Sequence, residues 1–241
     1  MGSKNNIKTI LFDFDGTLRH HLPTGGEFFS AYVISQGLQI TDEDQRRAAI
    51  WEHYYFASSP EIQADAKKFN GQGEDFWFFF AHRRLAALGC PPEIVPILGP
   101  KVSEHMREHY NPDVWMPEET HTVLSKLHES GYTLGVVSNR DNPYQDEIDK
   151  MGLGDYFHFS LAAGEVKSWK PDPAIFEHAI KIAETTPETT LYVGDNYFAD
   201  VVGARRAGLR PVLYDPKGLF HEPGCPVIIS FDKLIEVADS I

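Results

Sequence analysis

Four acidic residues stand directly after or close to apolar stretches of the chain. Asp13 and Asp15 lie in "ILFDFDGTL", and Asp195 and Asp200 lie in "LYVGDNYFAD". If the first stretch is an extended strand, its alternation places Asp13 and Asp15 on one face, about 6.5 Å apart. Like charges at such distances make ionisation costly unless a cation accompanies them. Mg²⁺ prefers oxygen ligands, and a carboxylate beside such an ion can act as a nucleophile toward phosphorus.

Each of these carboxylates also has a simpler explanation. Asp15-Gly16 is typical of a hairpin turn, in which case Asp13 is an ordinary strand-end residue. Asp195-Asn196 is compatible with a turn, and Asp200 with an acidic residue in the first turn of a helix, where the helix dipole favours it. The magnesium hypothesis therefore depends on whether the four residues meet at one place.

Further polar residues stand where strands are predicted to end. Ser138 and Asn139 follow the apolar "TLGVV", and Lys170 lies in "SWKPDP" just before a predicted helix. Ligands of open parallel sheets bind beyond the carboxyl ends of the strands, which is the face where these side chains are expected. The alternatives are a turn built by Ser138 and Asn139 and a solvated loop lysine at 170.

The elements that must position these residues alternate between strand and helix. An N-terminal strand over residues 7–14 is followed, from about residue 116 onward, by short apolar strands separated by amphipathic helices. Strands separated by helices of this length predict a parallel, Rossmann-like α/β sheet with helices on both faces.

An all-helical insertion separates the first strand from the rest of the sheet. After a Gly- and Pro-containing loop, helical periodicity continues for about ninety residues without a convincing strand, and four helices are predicted, the last one broken by Pro96 and Pro100. We therefore predict a discontinuous α/β core, 1–18 and 114–241, and a helical cap, 19–113. The missing nearby partner strand also weakens the hairpin interpretation of Asp15-Gly16.

Composition limits the class of partner. The chain has 241 residues and a formal net charge of −13, which repels polyanions, so we expect no nucleic-acid partner. No apolar stretch approaches the length of a membrane span, and no secretory signal pattern is present, so we expect a soluble protein without a membrane partner. Two cysteines without paired spacing agree with a cytoplasmic location. The sequence does not indicate an oligomeric state.

Four motifs resemble those of the haloacid dehalogenase-like hydrolases. "DFDGT" resembles the family's first motif, "VVSN" the second, "KPDPAIF" the third and "VGDNYFADVVGARRAG" the fourth, in the family's order and spacing. The resemblance covers residues 7–18 and about 114–238. The helical insertion resembles the family's cap only in its position and helicity.

The resemblance implies a Mg²⁺-dependent hydrolase acting on a small phosphorylated metabolite. In that scheme Asp13 attacks phosphorus, and Asp15 protonates the leaving oxygen and later activates water. Asp13, the main-chain carbonyl of Asp15, Asp195 and Asp200 hold the metal. Phosphoryl oxygens are bound by Ser138, Asn139 and Lys170.

The second aspartate separates branches of the family. Members that displace halide from carbon lack it, because their leaving group needs no proton, so Asp15 favours a phosphatase. Two alternatives remain open: a phosphomutase acting on a sugar phosphate, and a non-catalytic sensor that binds a phosphorylated ligand. The aromatic clusters "WEHYYF" and "DFWFFF" and the basic pairs of the cap do not identify the substrate, since such residues more often form core and solvated helix faces.

Overall fold

The computed structural model describes residues 6–71 and 73–240. The chain divides into two compact units. One unit contains the chain up to His20 and from Met116 onward, and the other contains His21–Trp115. Each unit is described by itself below.

The eight strands of the described residues are β1 (Thr9–Phe12), β2 (His20–Leu22), β3 (Asp113–Trp115), β4 (Thr133–Ser138), β5 (Phe159–Ala162), β6 (Thr190–Gly194), β7 (Arg210–Tyr214) and β8 (Val227–Ile228). Their α-helices are α1 (Gly25–Ser35), α2 (Asp42–Phe56), α3 (Pro60–Lys68), α4 (Glu74–Ala87), α5 (Val95–His109), α6 (Thr120–Glu129), α7 (Gln145–Lys150), α8 (Ala163–Val166), α9 (Pro173–Ile182), α10 (Val202–Arg206) and α11 (Lys233–Ser240).

A six-stranded sheet with the order β5-β4-β1-β6-β7-β8 forms the first unit. All five neighbouring strand pairs are parallel. In the centre, Phe12 of β1 lies opposite Val136 of β4 and Val193 of β6. The carboxyl ends of β4, β1 and β6 consequently meet at one edge of the sheet, and the predicted Rossmann-like α/β core is confirmed.

Alternation along the strands fills both faces of this sheet. Ile10 and Phe12 contribute to a buried cluster on one face, which also contains side chains of α6, α7 and α11. Leu11 belongs to a second buried cluster, which contains side chains of α9 and α10. Because successive strand side chains point to opposite faces, a short strand with three apolar residues can supply both clusters.

The second unit is mainly helical and consists of α1 to α5 with the short strands β2 and β3, which pair with each other. The predicted helices are present, but α3 was not predicted. Its start follows ordinary rules, since the Ser59 hydroxyl accepts a hydrogen bond from the Ile62 amide and Pro60 occupies the first turn. The two pairing strands, three residues each, were also not predicted.

The predicted break at Pro96 and Pro100 is wrong, because α5 runs from Val95 through Pro100 to His109. Pro96 lies in the first turn, where no backbone N–H needs an intrahelical partner. Pro100 removes one backbone hydrogen bond, and the helix continues because Leu98 and Val102 are buried in the core of this unit.

Several aromatic and basic residues of this unit have structural partners. Tyr55, Phe76 and Phe80 form a buried cluster, as expected for aromatics at helical spacing. Arg83 donates two hydrogen bonds to the Asp65 carboxylate, and Arg84 donates to Glu52. None of these contacts points to a second phosphate site.

No helix among the described residues is both long and apolar enough to cross a membrane.

Replacing Phe231 by alanine is expected to lower the free energy of unfolding by about 3–5 kcal/mol, because its ring is fully buried against Phe12 and Tyr214. Ile229 lies two residues earlier and is 66% exposed, so Ile229→Ala is expected to change that free energy by only about 0.5 kcal/mol. Urea unfolding followed by circular dichroism measures both variants. Equal losses would contradict this assignment of the core.

Candidate functional site

The site lies where three adjacent parallel strands end. Asp13 directly follows β1, Ser138 is the last residue of β4, and Asp195 directly follows β6. The Asp13 amide donates to the Val193 carbonyl, which continues the pairing of β1 with β6 by one residue. The predicted convergence of Asp13 and Asp195 is therefore present.

Asp200 joins these carboxylates from the helical segment that follows β6. Its carboxylate accepts a hydrogen bond from the Asn196 amide, and Asn196 itself accepts from the amides of Phe198 and Ala199. These contacts start the helical turn and hold Asp200 in it. One carboxylate oxygen from each of Asp13, Asp195 and Asp200 lies within 4.8 Å of the other two.

Two glycines permit this close approach. Gly16 has a φ of +95°, and a Cβ atom there would lie 2.5 Å from an oxygen of Asp195. A Cβ atom at Gly194 would overlap the Asp200 carboxylate. The glycines of the first and fourth motifs thus provide space for carboxylates. The buried Thr17 completes the arrangement, because its hydroxyl accepts from the Asp195 amide and donates to the Asp195 carboxylate.

Lys170 places an ammonium group among these acids. Its Nζ lies 2.5 Å from Asp13, 2.7 Å from Asp200 and 2.9 Å from the Tyr192 hydroxyl. The residue is 2% exposed. Burial alone would lower the pKa of Lys170, but the charges of Asp13 and Asp200 raise it well above its usual value. The ammonium form is therefore maintained.

Asn139 and Tyr192 position this lysine. The Asn139 side chain accepts from the Lys170 amide and donates to the Lys170 carbonyl. The Tyr192 hydroxyl donates to the Val137 carbonyl, next to Ser138, and accepts from Nζ. Tyr192 was missed in the sequence because it reads as a core residue of β6, and at this position it is both buried core and a polar partner.

Burial makes the carboxylates expensive to ionise in the absence of a cation. It raises the pKa of Asp13 to about 7, an effect that Lys170 opposes and Asp200 reinforces. Burial, together with Asp13 and Asp200, raises the pKa of Asp195 well above its usual range. The single positive charge of Lys170 does not neutralise three carboxylates. Three oxygen donors that converge on a shared point match what a hard divalent ion requires, and such an ion would hold all three in the ionised form.

The Asp15 side chain lies in different surroundings. The strand ends at Phe12, and residues 14–19 form a turn in which the Phe14 carbonyl accepts from the amides of Thr17, Leu18 and Arg19. The predicted strand over residues 7–14 is therefore wrong at its carboxyl end, because β1 ends before Asp13. The Asp15 carboxylate is 42% exposed and is bound by Arg19 and Arg140. Burial acts to raise its pKa, but hydrogen bonds and charge from Arg140 and Arg19 lower it.

Comparison with known proteins identifies the family of the chain. Residues 10–213 match the family model described as haloacid dehalogenase-like hydrolase. The chain is 32% identical over 216 residues to haloacid dehalogenase-like hydrolase domain-containing protein 3 of Bos taurus, covering 88% of this chain and 84% of that protein. It is 37% identical over 240 residues to a phosphoserine phosphatase of Thermus thermophilus, covering 90% and 91%.

A solved structure agrees with this match. The crystal structure of 2-haloacid dehalogenase from Pseudomonas syringae pv. Tomato DC3000 is 26% identical, superposes with a TM-score of 0.55, and covers 96% of this chain and 97% of that chain. The chain belongs to the haloacid dehalogenase-like hydrolases.

Proposed function

We propose that this hydrolase is a Mg²⁺-dependent phosphatase that cleaves a small-molecule phosphomonoester through a phosphorylated Asp13. The observation that carries the proposal is the buried carboxylate cluster of Asp13, Asp195 and Asp200 at the carboxyl edge of the sheet, with the Lys170 ammonium bound to two of its members. A reaction that transfers a dianionic group needs cationic surroundings around a positioned nucleophile.

Asp13, Asp195, Asp200 and the main-chain carbonyl of Asp15 would hold the metal. When bound, Mg²⁺ neutralises the carboxylates and the phosphoryl oxygens and so permits a carboxylate to approach a phosphate. The side-chain oxygens of Asp13, Asp195 and Asp200 already lie within 4.8 Å of one another, so metal binding requires little rearrangement.

Asp13 and Asp15 carry out both chemical steps. An oxygen of Asp13 attacks phosphorus while the bond between phosphorus and the substrate's alcohol oxygen breaks. Asp15 donates its proton to that leaving oxygen. In the second step Asp15 removes a proton from water, and the resulting hydroxide attacks the phosphorus of the phosphorylated Asp13. Inorganic phosphate leaves, and both carboxylates return to their starting states.

The remaining residues bind phosphoryl oxygens or position those that do. Lys170 and the buried Ser138 lie at the same edge as Asp13 and offer a cation and a hydroxyl donor. The Asn139 side chain is occupied by the main chain of Lys170, so it supports phosphate binding by positioning Lys170. Loss of a single such contact typically costs about 3 kcal/mol of transition-state stabilisation.

The second aspartate of the first motif favours phosphate chemistry over dehalogenation. A halide leaves without a proton, whereas an alkoxide needs one, and Asp15 supplies an acid at the required place in the motif. The relative named phosphoserine phosphatase supports the same choice. The net charge of −13 favours a small phosphorylated metabolite over a polyanion. Two free cysteines are consistent with the reducing cytoplasm as its compartment.

Asp13→Asn is expected to lower the rate of phosphate release by more than about 1,000-fold, because it removes the nucleophile. The measurement is phosphate release from a panel of phosphomonoesters in Mg²⁺, with and without EDTA. Asp155→Asn, which changes an exposed acid of the same unit, serves as control and is expected to keep wild-type rates. Activity that survives Asp13→Asn or chelation would contradict the mechanism. Isomerised sugar phosphate in place of free phosphate would indicate a mutase, and binding without turnover a sensor.

Asp195→Asn is expected to have opposite effects with and without metal. In EDTA the substitution removes the half-buried member of three mutually repelling carboxylates, so the melting temperature of the variant should exceed that of the wild type by a few degrees. Mg²⁺ at 100 times its Kd should stabilise the wild type by about 2.7 kcal/mol, and this stabilisation should be lost in the variant.

Thermal unfolding in EDTA and in a Mg²⁺ series measures both effects. The exposed Asp155→Asn control should follow the wild type under both conditions. A lower melting temperature of Asp195→Asn in EDTA, or an undiminished response to Mg²⁺, would show that these carboxylates do not share an ion.

A further inference from the structure

Four charged side chains form a closed ring next to the carboxylate cluster. Arg140 donates from Nε to Oδ2 of Asp15 at 2.7 Å and from Nη2 to Oδ1 at 2.9 Å. Its Nη1 donates to Glu147 at 2.5 Å. Arg19 closes the ring, with Nη1 2.9 Å from Oδ1 of Asp15 and Nε 3.6 Å from Glu147. We call these four residues the Asp15 ring.

Arg140 is held by aromatic and acidic neighbours on several sides. Its guanidinium lies 4.9 Å from the ring centroid of Phe14 and 5.3 Å from that of Tyr144. Its side chain is 22% exposed, against 42% for Asp15. The planar fork, the aromatic contacts and the bond to Glu147 together leave the guanidinium few alternative positions. The orientation of Asp15 therefore follows that of Arg140.

The two carboxylate oxygens of Asp15 accept different numbers of hydrogen bonds. Each carboxylate oxygen has two lone-pair sites. Oδ1 accepts from both Arg140 and Arg19, whereas Oδ2 accepts from Arg140 alone. Among the described residues, Oδ2 is thus the oxygen with remaining capacity to accept a proton.

We propose that Arg140, supported by Glu147 and Arg19, is a positioning residue that presents Oδ2 of Asp15 to the water that hydrolyses the phosphorylated Asp13. This inference rests on the proposed phosphatase function. In the step concerned, Oδ2 takes one proton from water, the water oxygen forms a bond to phosphorus, and the bond between phosphorus and Asp13 breaks. Arg140 itself exchanges no proton in this step and acts only through its hydrogen bonds to Asp15.

The two chemical steps depend on Asp15 to different extents when the leaving group is a good one. With p-nitrophenyl phosphate the leaving group departs readily without a proton, so phosphorylation of Asp13 needs little help from Asp15. Dephosphorylation needs a placed base whatever the substrate was. Loss of Arg140 should therefore slow the second step selectively, and the phosphorylated enzyme should accumulate. A ring that only stabilises the fold would affect both steps alike.

The experiment uses Arg140→Met and p-nitrophenyl phosphate in Mg²⁺. Rapid-quench measurements follow the burst of p-nitrophenolate and the decay of the phosphorylated enzyme. We expect decay to slow by about 10- to 100-fold, since general-base catalysis contributes about 10²- to 10⁴-fold and misplacement loses part of it. The burst rate and kcat/KM should change by less than about threefold, so kcat and KM should fall together.

Three further variants distinguish an effect on the orientation of Asp15 from an effect of the lost positive charge. Arg206→Met removes an exposed arginine of the same unit and makes the same change in net charge, and its kinetics should match the wild type. Arg140→Lys keeps the charge but lacks the two-pronged donor, so decay should remain slow. Glu147→Gln leaves the contacts between Arg140 and Asp15 intact and should slow decay less than Arg140→Met does.

Several outcomes would overturn the inference. An unchanged decay rate in Arg140→Met, an equal slowing of burst and decay, or full recovery in Arg140→Lys would each do so while leaving the phosphatase proposal intact. A wild-type enzyme that forms no phosphorylated intermediate would remove both proposals. If Arg140→Met fails to fold, which its melting temperature reveals, Arg140→Lys decides by the same criterion of selective slowing.

Discussion

The structure of the site depends on the convergence of three carboxylates, two buried and one half-buried, at one edge of a parallel sheet. Asp13, Asp195 and Asp200 bring oxygens within 4.8 Å of one another, and a single buried ammonium, that of Lys170, contacts two of them. Such a cluster is unfavourable on its own, because each ionised carboxylate loses water and gains like-charged neighbours. The protein tolerates this cluster because the surrounding sheet contributes to two large buried hydrophobic clusters, which supply the stability.

The topology explains why residues so distant in sequence can meet. Parallel strands have their carboxyl ends at the same edge of a sheet, and β4, β1 and β6 are neighbours in its centre. Each contributes one functional residue at or directly after its last position. The carboxylates at that edge lie close to the backbone, and Gly16 and Gly194 leave room for them because they have no Cβ atom. The cluster is therefore a consequence of strand order combined with two positions that lack a side chain.

The meeting of residues that follow strands could be predicted from the sequence, whereas contacts made by long side chains from distant parts of the chain could not. Asp13, Asp195 and Asp200 could be placed together because sheet edges follow from the alternation of strands and helices. The partners of Asp15 could not, since the strand ends one residue before Asp13 and Arg140 approaches from 125 residues away. The position of Arg140, directly after Ser138-Asn139, was a usable signal. In the helical unit, Pro100 and α3 were mispredicted because tertiary packing outweighs a single lost hydrogen bond and a short helix needs only a good cap.

Two aspartates separated by one residue acquire opposite properties from their surroundings. Burial raises the pKa of Asp13 to about 7, so neighbouring cations increase the fraction of this carboxylate that is ionised and able to react. Asp15 is partly exposed and is held by two arginines, which lower its pKa and keep it ionised. Ionised Asp15 is the form that accepts a proton from water, so the arginines favour the hydrolytic half of the proposed cycle over the half in which Asp15 must first carry a proton. Pairs of acids whose surroundings drive their pKa values apart are suited to different roles in one reaction. The division between nucleophile and proton carrier at this site therefore follows from solvent exposure and from the placement of three basic side chains, those of Lys170, Arg140 and Arg19.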